Sequence, residues 1–177
     1  GNDINGDGQN NDLIFVPNKG SDLKFSALTV GSGANAVTYS PEDQAAAFDK
    51  WISSSDYLNS RRGQYAERNG AAFPWLNRLD LGFMQDVVIK IGGKKNSFQF
   101  RADIANFGNL INNKWGVGNA TTTTNPLSLA SVGADGVPAY RIATQVKDGK
   151  TILLEDTFVK AINVDNVWQA QLGIRYT

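Results

Sequence analysis

From Leu79 to Ile91 every second residue is apolar: Leu79, Leu81, Phe83, Val87, Ile89 and Ile91, with Gln85 the single interruption. The alternate positions include Arg78, Asp80, Gly82, Asp86 and Lys90. A period of two puts successive side chains on opposite faces of a strand, so this stretch reads as one long amphipathic strand. The pattern returns twice. Phe98, Phe100, Ala102 and Ile104 alternate with Ser97, Gln99, Arg101 and Asp103; at the end of the chain Trp168, Ala170, Leu172, Ile174 and Tyr176 alternate with Gln169, Gln171, Gly173, Arg175 and Thr177. Gly92-Gly93-Lys94-Lys95-Asn96 reads as a tight turn that makes a hairpin of the first two strands.

Amphipathic strands are ordinary in soluble sandwiches. Three features move the expectation towards a membrane. The segments near 76–91, 97–107 and 167–177 each reach the about 9–11 residues that a tilted strand needs to cross a bilayer, against about 5–6 for the usual soluble strand. The connections are lopsided, one tight turn against loops of dozens of residues, as in outer-membrane barrels. Aromatic residues mark the strand ends, with Trp75 and Trp168 at the long-loop end and Phe98 and Tyr176 at the short-turn end. On this reading the apolar faces meet lipid. Arg78, Asp80, Asp86, Lys90, Arg101, Asp103 and Arg175 then face the lumen, because an Arg or Lys against mid-bilayer lipid costs about 2–4 kcal/mol. The expected fold is all-β, a transmembrane antiparallel barrel with long extracellular loops and one short helix. Three strands cannot close a barrel, so the remainder must come from further chain.

The rest of the sequence is loop-like. Residues 1–74 form an extracellular region in which Leu13-Ile14-Phe15-Val16 is a short strand. Ser40 and Pro41 open a helix over 41–53 with an imperfect capping box closed by Asp43, and Phe48, Trp51 and Ile52 share one of its faces for packing within the loop. Residues 75–177 hold the three long strands, and 108–166 form a long polar excursion between the second and the third. Inside it, Tyr140–Val146 and Thr151–Leu154 flank an Asp148-Gly149 turn as a second hairpin.

Composition closes off other classes. Lys+Arg and Asp+Glu number 17 each, so there is no electrostatic case for nucleic acid. The 177 residues contain no Cys and no His, which removes thiol and imidazole catalysis and the usual zinc sites; the chain is not expected to be an enzyme. An envelope protein needs an export signal, and Gly1-Asn2-Asp3-Ile4-Asn5 provides none, so the chain is expected to be a fragment.

One metal site suggests itself. Asp3, Asn5, Asp7 and Gly8 match the opening of a calcium loop, Gln9 adds a carbonyl, and Asp12 stands in for the bidentate Glu that Ile14 replaces. The competing reading is an Asx-turn loop held by its own hydrogen bonds.

Several strings resemble TonB-dependent outer-membrane receptors of the Oar-like type, which carry a carboxypeptidase-regulatory-like domain. They are Asn2–Pro17, Arg61–Gly70, Pro74–Leu81, Asp103–Leu110 and Trp168–Tyr176, in family order. The resemblance implies the C-terminal strands of a 22-stranded plugged barrel in the bacterial outer membrane, with active uptake of a large or scarce nutrient. Its implied partners are membrane lipid, the plug and remaining strands, and TonB through an N-terminal part that this chain lacks; contact with a surface lipoprotein is the alternative reading of the Phe48, Trp51 and Ile52 helix face. The family usually ends in an aromatic residue, where this chain has Thr177. The alternative from another class is a soluble, calcium-stabilised β-sandwich acting as an adhesin or carbohydrate-binding module.

Overall fold

The computed structural model describes residues 13–161 and 163–177. They are mostly strands, with α-helices at Pro41–Ser53, Asp56–Ser60 and Phe107–Ile111, and the fold is all-β in character. The chain forms two compact units, Gly1–Phe73 with Thr121–Val159, and Pro74–Ala120 with Lys160–Thr177.

The first unit joins two stretches that read as loops in the sequence, and it has a core of its own. Its centre is the Pro41–Ser53 helix. Ser40 accepts from the Asp43 amide at 3.1 Å while the Asp43 carboxylate accepts from the Ser40 amide at 2.9 Å, so the capping box closes with Asp in place of Glu. Phe48, Trp51 and Ile52 are buried together with Val16, Phe25, Leu58, Ile142, Leu153 and Leu154. Phe48 lies flat on Trp51 at 5.6 Å and meets Phe25 edge-on at 6.3 Å, both favourable ring geometries. The helix face expected to pack a loop is therefore the heart of a small hydrophobic core.

Short strands surround this helix. Pro138–Ile142 pairs antiparallel with Leu127–Val132 and parallel with Lys24–Phe25. The hairpin expected over 140–154 is shorter than the sequence suggests, with Thr144–Lys147 pairing Lys150–Leu153. Residues 140–142 belong instead to the ladder with Leu127–Val132. Their other edge meets Gln44, which is fully buried on the helix. Its Oε1 accepts from the Ile142 amide at 3.2 Å, and its Nε2 donates to the carbonyls of Ser26 at 2.7 Å and Ser40 at 3.3 Å. That side chain takes the hydrogen bond a neighbouring strand would have made, and the extended run breaks at Ala143. Gly20 serves the same packing, because a Cβ there would collide with the Ala45 carbonyl oxygen.

Arg62 ties the outside of the helix. Its guanidinium donates to Asp49 Oδ1 and the Asn18 carbonyl at 2.8 Å each, to Ser53 Oγ and Asn59 Oδ1 at 3.0 Å each, and to the Asp49 carbonyl at 3.3 Å. A planar fork with five donors suits such a job and an ammonium does not. At the far end, Thr157 donates its amide to Ser54 Oγ and its hydroxyl to the Trp51 carbonyl, both at 2.7 Å. Next to it Asp156 accepts from Gln145 at 2.8 Å and Lys147 at 2.9 Å.

The second unit is a three-stranded antiparallel meander, Gln169–Tyr176 beside Lys94–Ala105 beside Leu81–Ile91. The turn is tighter than expected. Ile91 pairs with Lys94, and Gly92 and Gly93 alone connect them at φ +57° and +79°, the two positive values a type I′ hairpin turn requires.

Two predictions follow from the first unit. Replacing Gln44 by Leu leaves the Ile142 amide and the Ser26 carbonyl buried and unpaired, so it should cost about 2–4 kcal/mol, read from the midpoint of urea unfolding. The second concerns pH. Burial pushes the Asp156 carboxyl up, but hydrogen bonds from Lys147 and Gln145, with the Lys147 charge, outweigh it and hold it below its ordinary value. Its folded value thus lies under the unfolded one, and the stability it contributes is complete above about pH 4 and lost as pH falls through the folded value. The gap in melting temperature between the native chain and Asp156→Asn should therefore narrow as pH falls from about 5 to about 2.

Candidate functional site

The meander carries the site, because its two faces differ in kind. Residues paired across an antiparallel ladder share a face. The register sets Phe83 opposite Ala102 and Ala102 opposite Leu172; two steps along, Gln85 meets Phe100 and Phe100 meets Ile174; two further, Val87 meets Phe98 and Phe98 meets Tyr176. All the apolar sets found in the sequence therefore lie on one face. The other face carries Asp86, Gln99 and Arg175 in one row, Met84, Arg101 and Gly173 in the next, and Gly82, Asp103 and Gln171 beyond it. Leu81, Phe100 and Leu172 are on the first face, Arg101 and Gln171 on the second.

No residue of the three strands is buried. Leu172 is 81% exposed, Ile174 73% and Phe83 62%, on a face where apolar side chains follow one another across the sheet. The outer edges of Leu81–Ile91 and Gln169–Tyr176 have no strand beside them among the described residues. At the turn end Phe98 and Tyr176 rings lie 4.9 Å apart, and the Tyr176 hydroxyl donates to Asn96 Oδ1.

The strands begin and end where side chains take over from the ladder. The first was expected from about residue 76, and it starts at Leu81. Its partner strand leaves the sheet at Asn106, whose φ of +53° is left-handed. Asp80 Oδ1 accepts from the Asn106 amide at 2.7 Å, and the Leu79 carbonyl accepts from the Phe107 amide at 2.7 Å. Arg78 donates to Asn166 Oδ1 at 2.8 Å and to the Asp165 carbonyl at 2.5 Å. Arg78 and Asp80, expected on a lumen-facing strand, therefore lie beyond the strand and organise its end. Trp75, expected to open that strand, is 95% exposed outside it.

Three buried asparagines complete this end. Asn106 Nδ2 donates to the Gly116 and Asn166 carbonyls at 3.1 Å each. Asn109 Nδ2 donates to the Trp115 carbonyl at 2.9 Å, and its Oδ1 accepts from the Trp168 amide at 3.3 Å. Asn166 Oδ1 accepts from Gly118 at 3.2 Å and its Nδ2 donates to the Ala161 carbonyl at 2.7 Å. Sequence reasoning missed this cluster. Its one local signal is the Asn106-Phe107-Gly108-Asn109 string that breaks the alternation. Beside the cluster opens a cleft of about 470 Å³ lined by Trp75, Arg78, Leu79, Lys114, Trp115 and Lys160, among others.

Of the other polar residues predicted to face a lumen, Arg101 pairs with Asp103 on its own strand, Nε to Oδ2 at 2.5 Å. Asp86 accepts from Gln99 Nε2 at 2.9 Å across the ladder. Lys90 stands opposite Lys95, and Arg175 opposite Gln99. The candidate calcium ligands Asp3, Asn5, Asp7, Gln9 and Asp12 lie outside the described residues. Among the described residues no group of three or more acidic side chains is arranged to hold a metal ion. No family model, curated protein or solved structure matches the chain.

Gly116 is the test of the asparagine cluster. It sits at φ +64°, and a Cβ there would collide with the Asn106 side-chain amide. Gly116→Ala should cost about 2–3 kcal/mol through strain and the loss of the amide's fit, and Asn109 and Asn166 should lose protection in amide-proton exchange.

Proposed function

We propose that the chain is the C-terminal strand region of a TonB-dependent outer-membrane transporter, with the meander crossing the lipid. The observation that carries this is the apolar face of the sheet, which runs across three strands and is left without cover among the described residues. A three-stranded sheet exposed on both sides gains too little burial to stand alone in water. A lipid environment removes that penalty for the apolar face, and the unpaired outer edges are those that further barrel strands would complete. The dimensions agree. The 11 residues of Leu81–Ile91 at about 3.4 Å each, tilted by about 45°, cover about 26 Å, close to the about 25 Å apolar band of an outer-membrane barrel.

In this reading the polar face, with Asp86, Lys90, Arg101, Asp103 and Arg175, lines the lumen beside a plug formed by other chain. The Gly92-Gly93 turn lies in the periplasm, and residues 1–74 and 108–166 are extracellular. The strands, plug and TonB-contacting segment needed for energised uptake come from chain outside this sequence. The polypeptide is a transport component and not an enzyme.

Lys94→Cys tests the topology. In intact cells a membrane-impermeant thiol reagent should leave it unlabelled until the outer membrane is opened; ready labelling of intact cells would invert the assignment. In detergent the chain should stay dispersed and in plain buffer it should aggregate. A chain that is monomeric in buffer would sink the membrane reading and favour the soluble β-sandwich.

A further inference from the structure

The cleft beside the asparagine cluster combines two kinds of side chain. Trp75 and Trp115 offer exposed rings, and Leu79 links them to the apolar sheet face, since its carbonyl continues the ladder through Phe107. Arg78, Lys114 and Lys160 supply three positive charges. No carboxylate lines the cleft, and none of the three cations makes an ion pair among the described residues. In the helical unit, by contrast, Lys50, Arg62 and Lys147 each have a carboxylate within reach, as Arg101 has on the sheet. Three cations gathered without counter-charge next to aromatic rings call for an anion carrying an apolar body.

The position of the cleft selects which anion. It lies at the end of the strands away from the Gly92-Gly93 turn, where the apolar face stops. At that level of a membrane strand, tryptophan rings sit among lipid head groups. We infer that the cleft holds the phosphorylated head group of a membrane lipid, with phosphate oxygens on Lys114, Lys160 and the free side of Arg78, and the upper acyl chain against Trp75 and Trp115. Arg78 has donors to spare, because Asn166 and Asp165 engage only its Nη2. Lys160 gives up only a 3.3 Å hydrogen bond to the Val117 carbonyl. This inference rests on the membrane reading of the sheet and adds a defined lipid-head site to it.

The test uses the full chain in dodecyl maltoside micelles doped with phosphatidic acid or phosphatidylcholine, with affinity read from tryptophan fluorescence. Partition into micelles is measured first, so that a failure of the membrane reading shows as no partition and is separate from a failure of this site. Phosphatidic acid should bind selectively over phosphatidylcholine. The double variant Lys114→Gln, Lys160→Gln should weaken it about tenfold or more while partition and far-ultraviolet dichroism stay unchanged. Lys94→Gln with Lys95→Gln removes the same charge at the other end of the sheet and should change affinity by less than about twofold. Equal binding of the two lipids, or equal losses in the two double variants, would overturn the proposal. Inorganic phosphate binding as tightly as phosphatidic acid would overturn the choice of a lipid as occupant.

Discussion

The hairpin at the centre of the meander depends on a two-residue turn. Gly92 and Gly93 both take positive φ, a conformation that side-chain-bearing residues reach only with strain, and they thereby set Ile91 against Lys94. From that pairing the ladder counts out Val87 against Phe98 and Phe83 against Ala102. A slip of one residue would carry every apolar side chain of one strand to the charged face. The strand at the chain end keeps the same division through its own ladder, with Leu172 against Ala102 and Gln171 against Asp103.

The two units meet the same demand, to satisfy backbone polar groups, by different means. In the meander the ladder does it, and side chains are left free to sort by polarity. In the helical unit the strands are short, and side-chain amides and hydroxyls finish what the backbone leaves open: Gln44 on Ile142 and Ser26, Gln145 on Glu155 and Asp156, Thr157 on Trp51. Such groups are stiffening where every partner is present and costly where one is missing. The asparagine cluster at the end of the meander belongs to this second style, although it lies in the first style's unit.

What was legible in the sequence is what has a period. Alternation placed the apolar and polar residues of the paired segments on their two faces, and Ser40, Pro41 and Asp43 marked the helix start because caps are local chemistry. Boundaries were less legible. The first strand begins only at Leu81 because the Asp80 side chain takes an amide of a residue 26 positions away, which no local pattern announces. The same holds for the helical core. Phe48, Trp51 and Ile52 show a shared face, but their partners Ile142, Leu153 and Leu154 read only as parts of a distant hairpin, and nothing local joins that hairpin to the helix. The cleft was invisible for a similar reason, since Trp75, Lys114 and Lys160 come from three separate segments.

Gln44 and Ile142 are 98 residues apart in the chain, and the whole of the long hairpin lies between them. Closing so large a loop costs entropy that only the finished core returns, so the helical unit is a late-forming, high-contact-order element. The hairpin has the opposite character. Its contacts spread from the glycine turn to neighbours in sequence, and a hairpin of this kind closes on the microsecond scale once its residues are available. The helix with Phe48 and Trp51 must wait for Leu153 before its core can close, so the unit that begins first in the chain is completed only by residues that follow the hairpin.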